Sequence, residues 1–171
     1  MFKMKSLGTR ALSIAAGLLS VCLPSGAQSS GGPEELLRQA VVALATSDQP
    51  ALAKLSIDQA EFQKFVWPTM AAQMSKTTAE KYFPTYQRAS QAGAEETKAS
   101  LAGKKWELVK VDLGTARRKG KDFQLFGPPA VTLRDDSGQE KTFRLLGGLL
   151  ESNGAYKITT YYVNPTQRGD K

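Results

Sequence analysis

The amino-acid sequence predicts an α+β domain, with N-terminal helices packed on a curved, cone-like antiparallel sheet and a signal peptide ahead of it. Three observations carry this expectation. The first 27 residues have the charged, apolar and small-residue blocks of an export leader. Apolar residues then recur at helical spacing from Pro33 to Gly103. Beyond Gly103 the period drops to two, and an Asn-Gly turn signal closes the series. Helices first and hairpin-linked strands second is the order of an α+β domain.

The leader comes first. Met1–Arg10 carries Lys3, Lys5 and Arg10, and Ala11–Leu23 is apolar and uncharged. Pro24 breaks the helix, and Ser25-Gly26-Ala27 sets small residues where a signal peptidase reads, so cleavage is expected between Ala27 and Gln28. The apolar run of about 13 residues falls short of the roughly 20 that span a bilayer, so no stable membrane insertion is expected after cleavage. A second route is open. Leu19-Ser20-Val21-Cys22 resembles a bacterial lipobox, in which Cys22 becomes the lipidated first residue, although Val21 stands where Gly, Ala or Ser is usual. The remaining layout is a flexible spacer at 28–32, a single domain at 33–165 and a disordered tail at 166–171. Export implies a secreted or periplasmic location.

Within the domain, Pro33-Glu34-Glu35 starts the first helix, with proline at its first position and two acids at the positive end of the dipole. Leu36, Leu37, Ala40, Val41 and Leu44 share one face. Ser47-Asp48 ends this helix and caps a short second one, Pro50–Leu55. Asp58-Gln59-Ala60-Glu61 is a capping box, with Ile57 and Phe62 at the staple positions. Phe62, Phe65 and Val66 form the buried face, and Pro68 is expected to push Trp67 into extended conformation and end the helix there. After a linker, Thr77-Thr78-Ala79-Glu80 opens a long helix with Tyr82, Tyr86, Ala89, Gly93 and Leu101 along one stripe and Gly103 as its stop.

The strands follow. Trp106–Leu113 alternates, placing Glu107, Val109, Val111 and Leu113 on one face, and that parity separates Glu107 from Asp112. Arg117–Lys121 reads as a polar connection. Phe123–Phe126 and Val131–Leu133 read as strand around Gly127-Pro128-Pro129. Asp135-Asp136-Ser137-Gly138 is a turn before a strand Lys141–Leu150, with a bulge or bend at Gly147-Gly148. Asn153-Gly154 marks a type I′ hairpin into the closing strand, Ala155–Val163. The whole reads as a meander with helices over one face.

Composition removes many chemistries. The 171 residues include no histidine and one cysteine, Cys22, in the leader. Beyond the leader there is no Cys/His zinc set, no cysteine nucleophile and no Ser-His-Asp triad. Gly114-Thr115-Ala116 lacks the spacing of a phosphate loop. No metal and no cofactor are expected. Of the 23 Lys+Arg, three lie in the leader, so the remainder has only a mild excess over the 16 Asp+Glu, far from the footprint of a nucleic-acid binder.

Two stretches carry a family resemblance. Ala45–Leu55 (ATSDQPALAKL), a helix ending in a small-polar-Asp turn before a short helix, and the terminal hairpin Leu149–Tyr162 resemble the nuclear transport factor 2-like superfamily. The resemblance implies a cone of three helices in the concave face of a bent antiparallel sheet. It also implies a range of roles, from isomerases, dehydratases and polyketide cyclases to non-catalytic binding and dimerisation domains. The enzymes of the family use an Asp or an Asp/His pair inside the cone, and this chain has no His and no Asp matched to that position.

Candidate ligand-binding residues are Trp67, Tyr82, Tyr86 and Trp106, which are large aromatics suited either to a pocket mouth or to the core. Arg117, Arg118, Lys119 and Lys121 form a basic loop that suits anionic surfaces or plain solvation. The expected function is an exported, non-catalytic domain that binds a small apolar ligand or a protein partner, with a homodimer compatible. Two alternatives stand beside it. One is a metal-independent isomerase- or cyclase-type enzyme using Tyr and a carboxylate; the other is an envelope-assembly lipoprotein anchored at Cys22.

Overall fold

The computed structural model describes residues 31–74 and 76–162. The leader, the cleavage point at Ala27 and Gln28, Cys22, residues 28–30 of the spacer and the tail 166–171 lie outside the described residues. The helical half is α1 (Pro33–Thr46), α2 (Gln49–Leu55), α3 (Gln59–Glu61), a π-helical turn (Phe62–Val66), α4 (Trp67–Met70) and α5 (Ala79–Leu101). The strands are β1 (Trp106–Asp112), β2 (Ala116–Lys119), β3 (Phe123–Phe126), β4 (Ala130–Asp135), β5 (Glu140–Phe143), β6 (Leu146–Ser152) and β7 (Ala155–Tyr161).

The local signals act as their chemistry requires. α1 buries Leu36, Leu37, Ala40, Val41, Ala43 and Leu44 and stops at Ser47, which is left-handed at φ 58°. The Asp48 carboxylate accepts from Ala51 N–H at 3.0 Å and caps α2. The capping box is complete: Glu61 N–H donates to Asp58 Oδ1 at 2.8 Å and Asp58 N–H to Glu61 Oε2 at 3.0 Å. Thr78 caps α5, and Gly103 (φ 79°) follows its end.

The expected stop at Trp67 does not occur. Trp67 is helical (φ −51°, ψ −43°) and the coil continues to Met70. The π turn supplies the reason. Its wider coil carries Trp67 N–H to Phe62 O, and Pro68 falls in the first turn of the next segment, where a missing N–H costs nothing. The stripe on α5 also differs. Ala79, Phe83, Gly93, Ala94, Thr97 and Leu101 are buried, whereas Ala89 is exposed.

The strands form a three-stranded sheet, β1-β4-β5, and a four-stranded sheet, β2-β3-β6-β7, all antiparallel. Their registers join the two into one meander. Asp112 faces Ala130 and Ala116 faces Phe126, with no slip between them. Val131 faces Phe143 and Phe126 faces Leu149, a slip of one residue. The first three passes are interrupted at one level, at 113–115, 127–129 and 144–145. Pro128 and Pro129 have no N–H to offer the ladder, so the pass opposite them breaks too, and the expected strand Lys141–Leu150 becomes β5 and β6. The Leu145 carbonyl at this break accepts from Thr97 Oγ1 at 3.4 Å and from Tyr162 N–H at 3.1 Å.

Two other strand expectations change. Arg117, Arg118 and Lys119 are not loop residues: they belong to β2, an edge strand, and only Lys121 remains in the turn. The register of β1 shifts between Leu108 and Lys110, so Trp106, Leu108 and Val111 pack on the core together and Val109 is exposed. The same shift puts Glu107 and Asp112 on one outer face rather than on opposite faces.

Helices cover both faces of the four-stranded sheet, not one. Neighbouring residues of an unbulged strand point oppositely, and Leu149 joins one apolar cluster while Leu150 joins the other. The first cluster unites α1, α2 and the end of α5 with β4, β6 and β7. The second holds Ile57, Phe62, Phe65, Val66, Ala79 and Phe83 against Leu125 and Leu150. α5 therefore passes along the β7 edge and contributes to both clusters.

Candidate functional site

The free edge of β7 is closed by three groups from two segments. Ile57 N–H donates to Ile158 O at 2.9 Å, in the stretch after α2. The register skips Thr159, because Leu149 faces Ile158 while Gly148 faces Thr160. The Tyr86 hydroxyl of α5 donates to the Thr159 carbonyl at 2.8 Å. Two residues further, Tyr161 N–H donates to Ser90 Oγ at 3.2 Å. Gly93 lets α5 come this close: a Cβ there would lie 2.7 Å from Tyr161 O.

These contacts leave a cleft of about 390 Å³ between α2, α5 and β7. Gln49 Nε2 bridges the two helices by donating to Glu95 Oε1 at 3.0 Å. Pro50, Leu52, Ala53, Ile57, Phe83 and Ala94 supply its apolar lining. The polar lining is Gln49, Gln87, Gln91, Ser56, Ser90 and Thr159, with Tyr86 and Tyr161 beside them. No Asp, Glu, Lys or Arg is among the lining residues.

The two tyrosines set the electrostatics. Burial pushes the Tyr86 hydroxyl up to about 12; its hydrogen bond to Thr159 opposes the shift and neighbouring Tyr82 adds to it. Tyr161 is 4 % exposed, and burial raises its hydroxyl still further, with Ser56 opposing. The Ser56 hydroxyl itself donates to Leu52 O at 2.8 Å, and the Tyr161 hydroxyl has no hydrogen-bond partner among the described residues. A buried donor without an acceptor costs about 1–3 kcal/mol. Both phenols remain protonated at neutral pH, so they act as donors and not as bases.

Of the four aromatic candidates, Tyr86 alone lines this cleft. Trp67 and Tyr82 pack together in the second cluster, ring centroids 5.8 Å apart. Trp106 meets Phe143 edge-on at 5.2 Å and donates from Nε1 to Leu101 O at 2.9 Å. Arg117, Arg118, Lys119 and Lys121 lie on the far edge of the sheet. Sequence reasoning missed Ser90, Thr159 and the three glutamines, while Tyr161 stood only among five tyrosines that could offer a hydroxyl to a polar ligand. Gln87 and Gln91, four apart on α5, were a visible uncharged polar pair, but nothing in the sequence ties them to β7.

Among the described residues, the buried carboxylate belongs to a turn. Asp135 is held well below the usual carboxylate range, chiefly by the Lys104 ammonium bonded to it. It also accepts from Ser137 Oγ at 2.5 Å and Gln139 N–H at 2.9 Å, and burial opposes the shift. These bonds use its oxygens to organise the β4–β5 turn. Among the described residues, no group of three or more His, Cys, Asp or Glu side chains is placed to hold a metal ion, and no helix is long and apolar enough to cross a membrane. Compared with family models, with curated proteins and with solved structures, this chain finds no match.

Proposed function

We propose that this chain is an exported, non-catalytic binding domain whose cleft between α2, α5 and β7 holds a small, neutral, largely apolar ligand. The observation that carries the reading is the cleft itself, about 390 Å³, lined by apolar side chains and neutral polar groups with no charged residue among them. The volume lies in the range of small-molecule sites, which are mostly apolar with a few placed polar groups. Charged ligands are disfavoured because no lining side chain carries compensating charge. The isomerase-type alternative asks for a carboxylate within reach of a tyrosine, and no carboxylate lines the cleft.

Export, to the periplasm or the medium, rests on the charged, apolar and small-residue blocks of residues 1–27. The nuclear transport factor 2-like cone rests on Ala45–Leu55 and the terminal hairpin; helices ahead of an antiparallel meander support it, while helices on both faces of the four-stranded sheet depart from a cone filled on one face. The test is native mass spectrometry of the full chain recovered from the envelope of an expressing bacterium. The expected species begins at Gln28 and carries a neutral adduct that denaturation releases. A bare chain that also shows no amide shifts at Ser90 or Thr159 with a library of neutral fragments overturns the binding reading. A lipidated chain beginning at Cys22 overturns the processing.

A further inference from the structure

The two edges of the four-stranded sheet are finished differently. β7 has its outward groups taken by Ile57, Tyr86 and Ser90. β2, at the other end of the order, has no strand or side chain bonded to its outer side among the described residues. Gly120 N–H donates to Phe123 O at 2.9 Å, so by antiparallel alternation Lys119 turns its own N–H and C=O outward.

This open edge carries placed cations. The Arg117 guanidinium lies against Gly127, where a Cβ would fall 2.4 Å from its Nε. The Arg118 guanidinium sits 5.8 Å from the centre of the Phe123 ring. Neither arginine, nor Lys119 or Lys121, joins an ion pair among the described residues. The nearby acids are Asp122, in the turn, and Glu151, which already accepts from Gln124 and Gly154 N–H. Like charge keeps β2 from pairing with a second copy of itself, while an acidic strand meets complementary charge.

We propose that β2 docks an extended acidic segment of a partner protein, added as a fifth strand. Main-chain bonds form at Lys119, and the partner's carboxylates face Arg117, Arg118, Lys119 and Lys121. This is strand addition at an exposed edge, with charge selecting the partner.

The test is amide NMR with hydrogen exchange on the intact recovered protein. The probe is an amidated peptide of roughly seven residues alternating Asp or Glu with Thr or Val. Binding is expected to slow exchange at the Lys119 amide, to move signals along 116–126, and to weaken as salt rises. Arg118→Gln with Lys119→Gln should weaken it about fivefold or more without changing the melting temperature. Binding with no protection at Lys119 overturns the strand-addition proposal. So does retention on phosphatidylglycerol vesicles without peptide binding, which would make the edge a membrane contact, and so does the absence of peptide binding at low salt.

Discussion

Gly93→Ala sets two effects of opposite sign against each other. Gly93 is interior to α5, where alanine is favoured over glycine by about 1 kcal/mol. The same methyl would lie 2.7 Å from Tyr161 O, 2.9 Å from Tyr161 C and 3.1 Å from Tyr162 C. All three are backbone atoms, so none can swing away. Restoring a contact of about 3.5 Å moves α5 and β7 apart by roughly 0.6–0.8 Å. The Ser90–Tyr161 bond, already 3.2 Å, then passes out of hydrogen-bond range, a loss of about 1 kcal/mol on top of about 1–3 kcal/mol for overpacking. The packing cost exceeds the helix gain, and the net destabilisation is roughly 1–3 kcal/mol, a fall in Tm of roughly 4–12 °C. Urea and thermal unfolding would measure it. Ala92→Gly, at the exposed neighbouring position, supplies the helix term alone and should cost about 1 kcal/mol. A Gly93→Ala protein as stable as the parent or more so, mirroring Ala92→Gly, would refute the close approach of α5 to β7.

Two further outcomes follow from the titrating groups. Tyr86 has its pKa raised to about 12 against an ordinary value near 10, so the folded state keeps a proton that the unfolded chain releases. Its contribution to stability is full below about pH 10 and is lost as pH rises toward 12; Tyr86→Phe should lose about 1 kcal/mol at neutral pH and show a shallower alkaline decline, and a Tyr86 phase near 10 in phenolate absorbance would contradict this. Asp135 has the opposite sign. Its carboxylate is depressed, so its contribution is present above about pH 3.9 and lost as pH falls below that. Asp135→Asn should flatten the acid limb of the stability curve, and acid limbs of identical shape would remove Asp135 from the cause.

What could be read from the residues, and what could not, follows the range of the interactions. Asp48, the Asp58–Glu61 box and Thr78 act on amides three residues away, so their residue types announce them. Asn153 and Gly154 both have positive φ, as their turn demands. Where the structure departed from expectation, a neighbour outside the local window decided. Pro68 was absorbed by a π turn that no propensity marks. Arg117-Arg118-Lys119 lacked the apolar alternation of a strand because an edge strand needs only one partner, here β3. Leu149 and Leu150 read as one apolar run because the sheet is buried on both faces, and such a run cannot say which residue faces which cluster.

The cleft lay furthest from view. Tyr86 was singled out for its ring, but its partner Thr159 stands 73 residues away, and Ser90 meets Tyr161 across 71. The sequence alone determined the α+β order, the helix starts and the terminal hairpin, because caps and turns are bonds between residues a few positions apart. Only the tertiary structure decided which edge of the sheet is closed, which is open, and that an uncharged cleft lies between α2, α5 and β7. Those features depend on α5 packing along β7, and that packing is set by burial across the whole core.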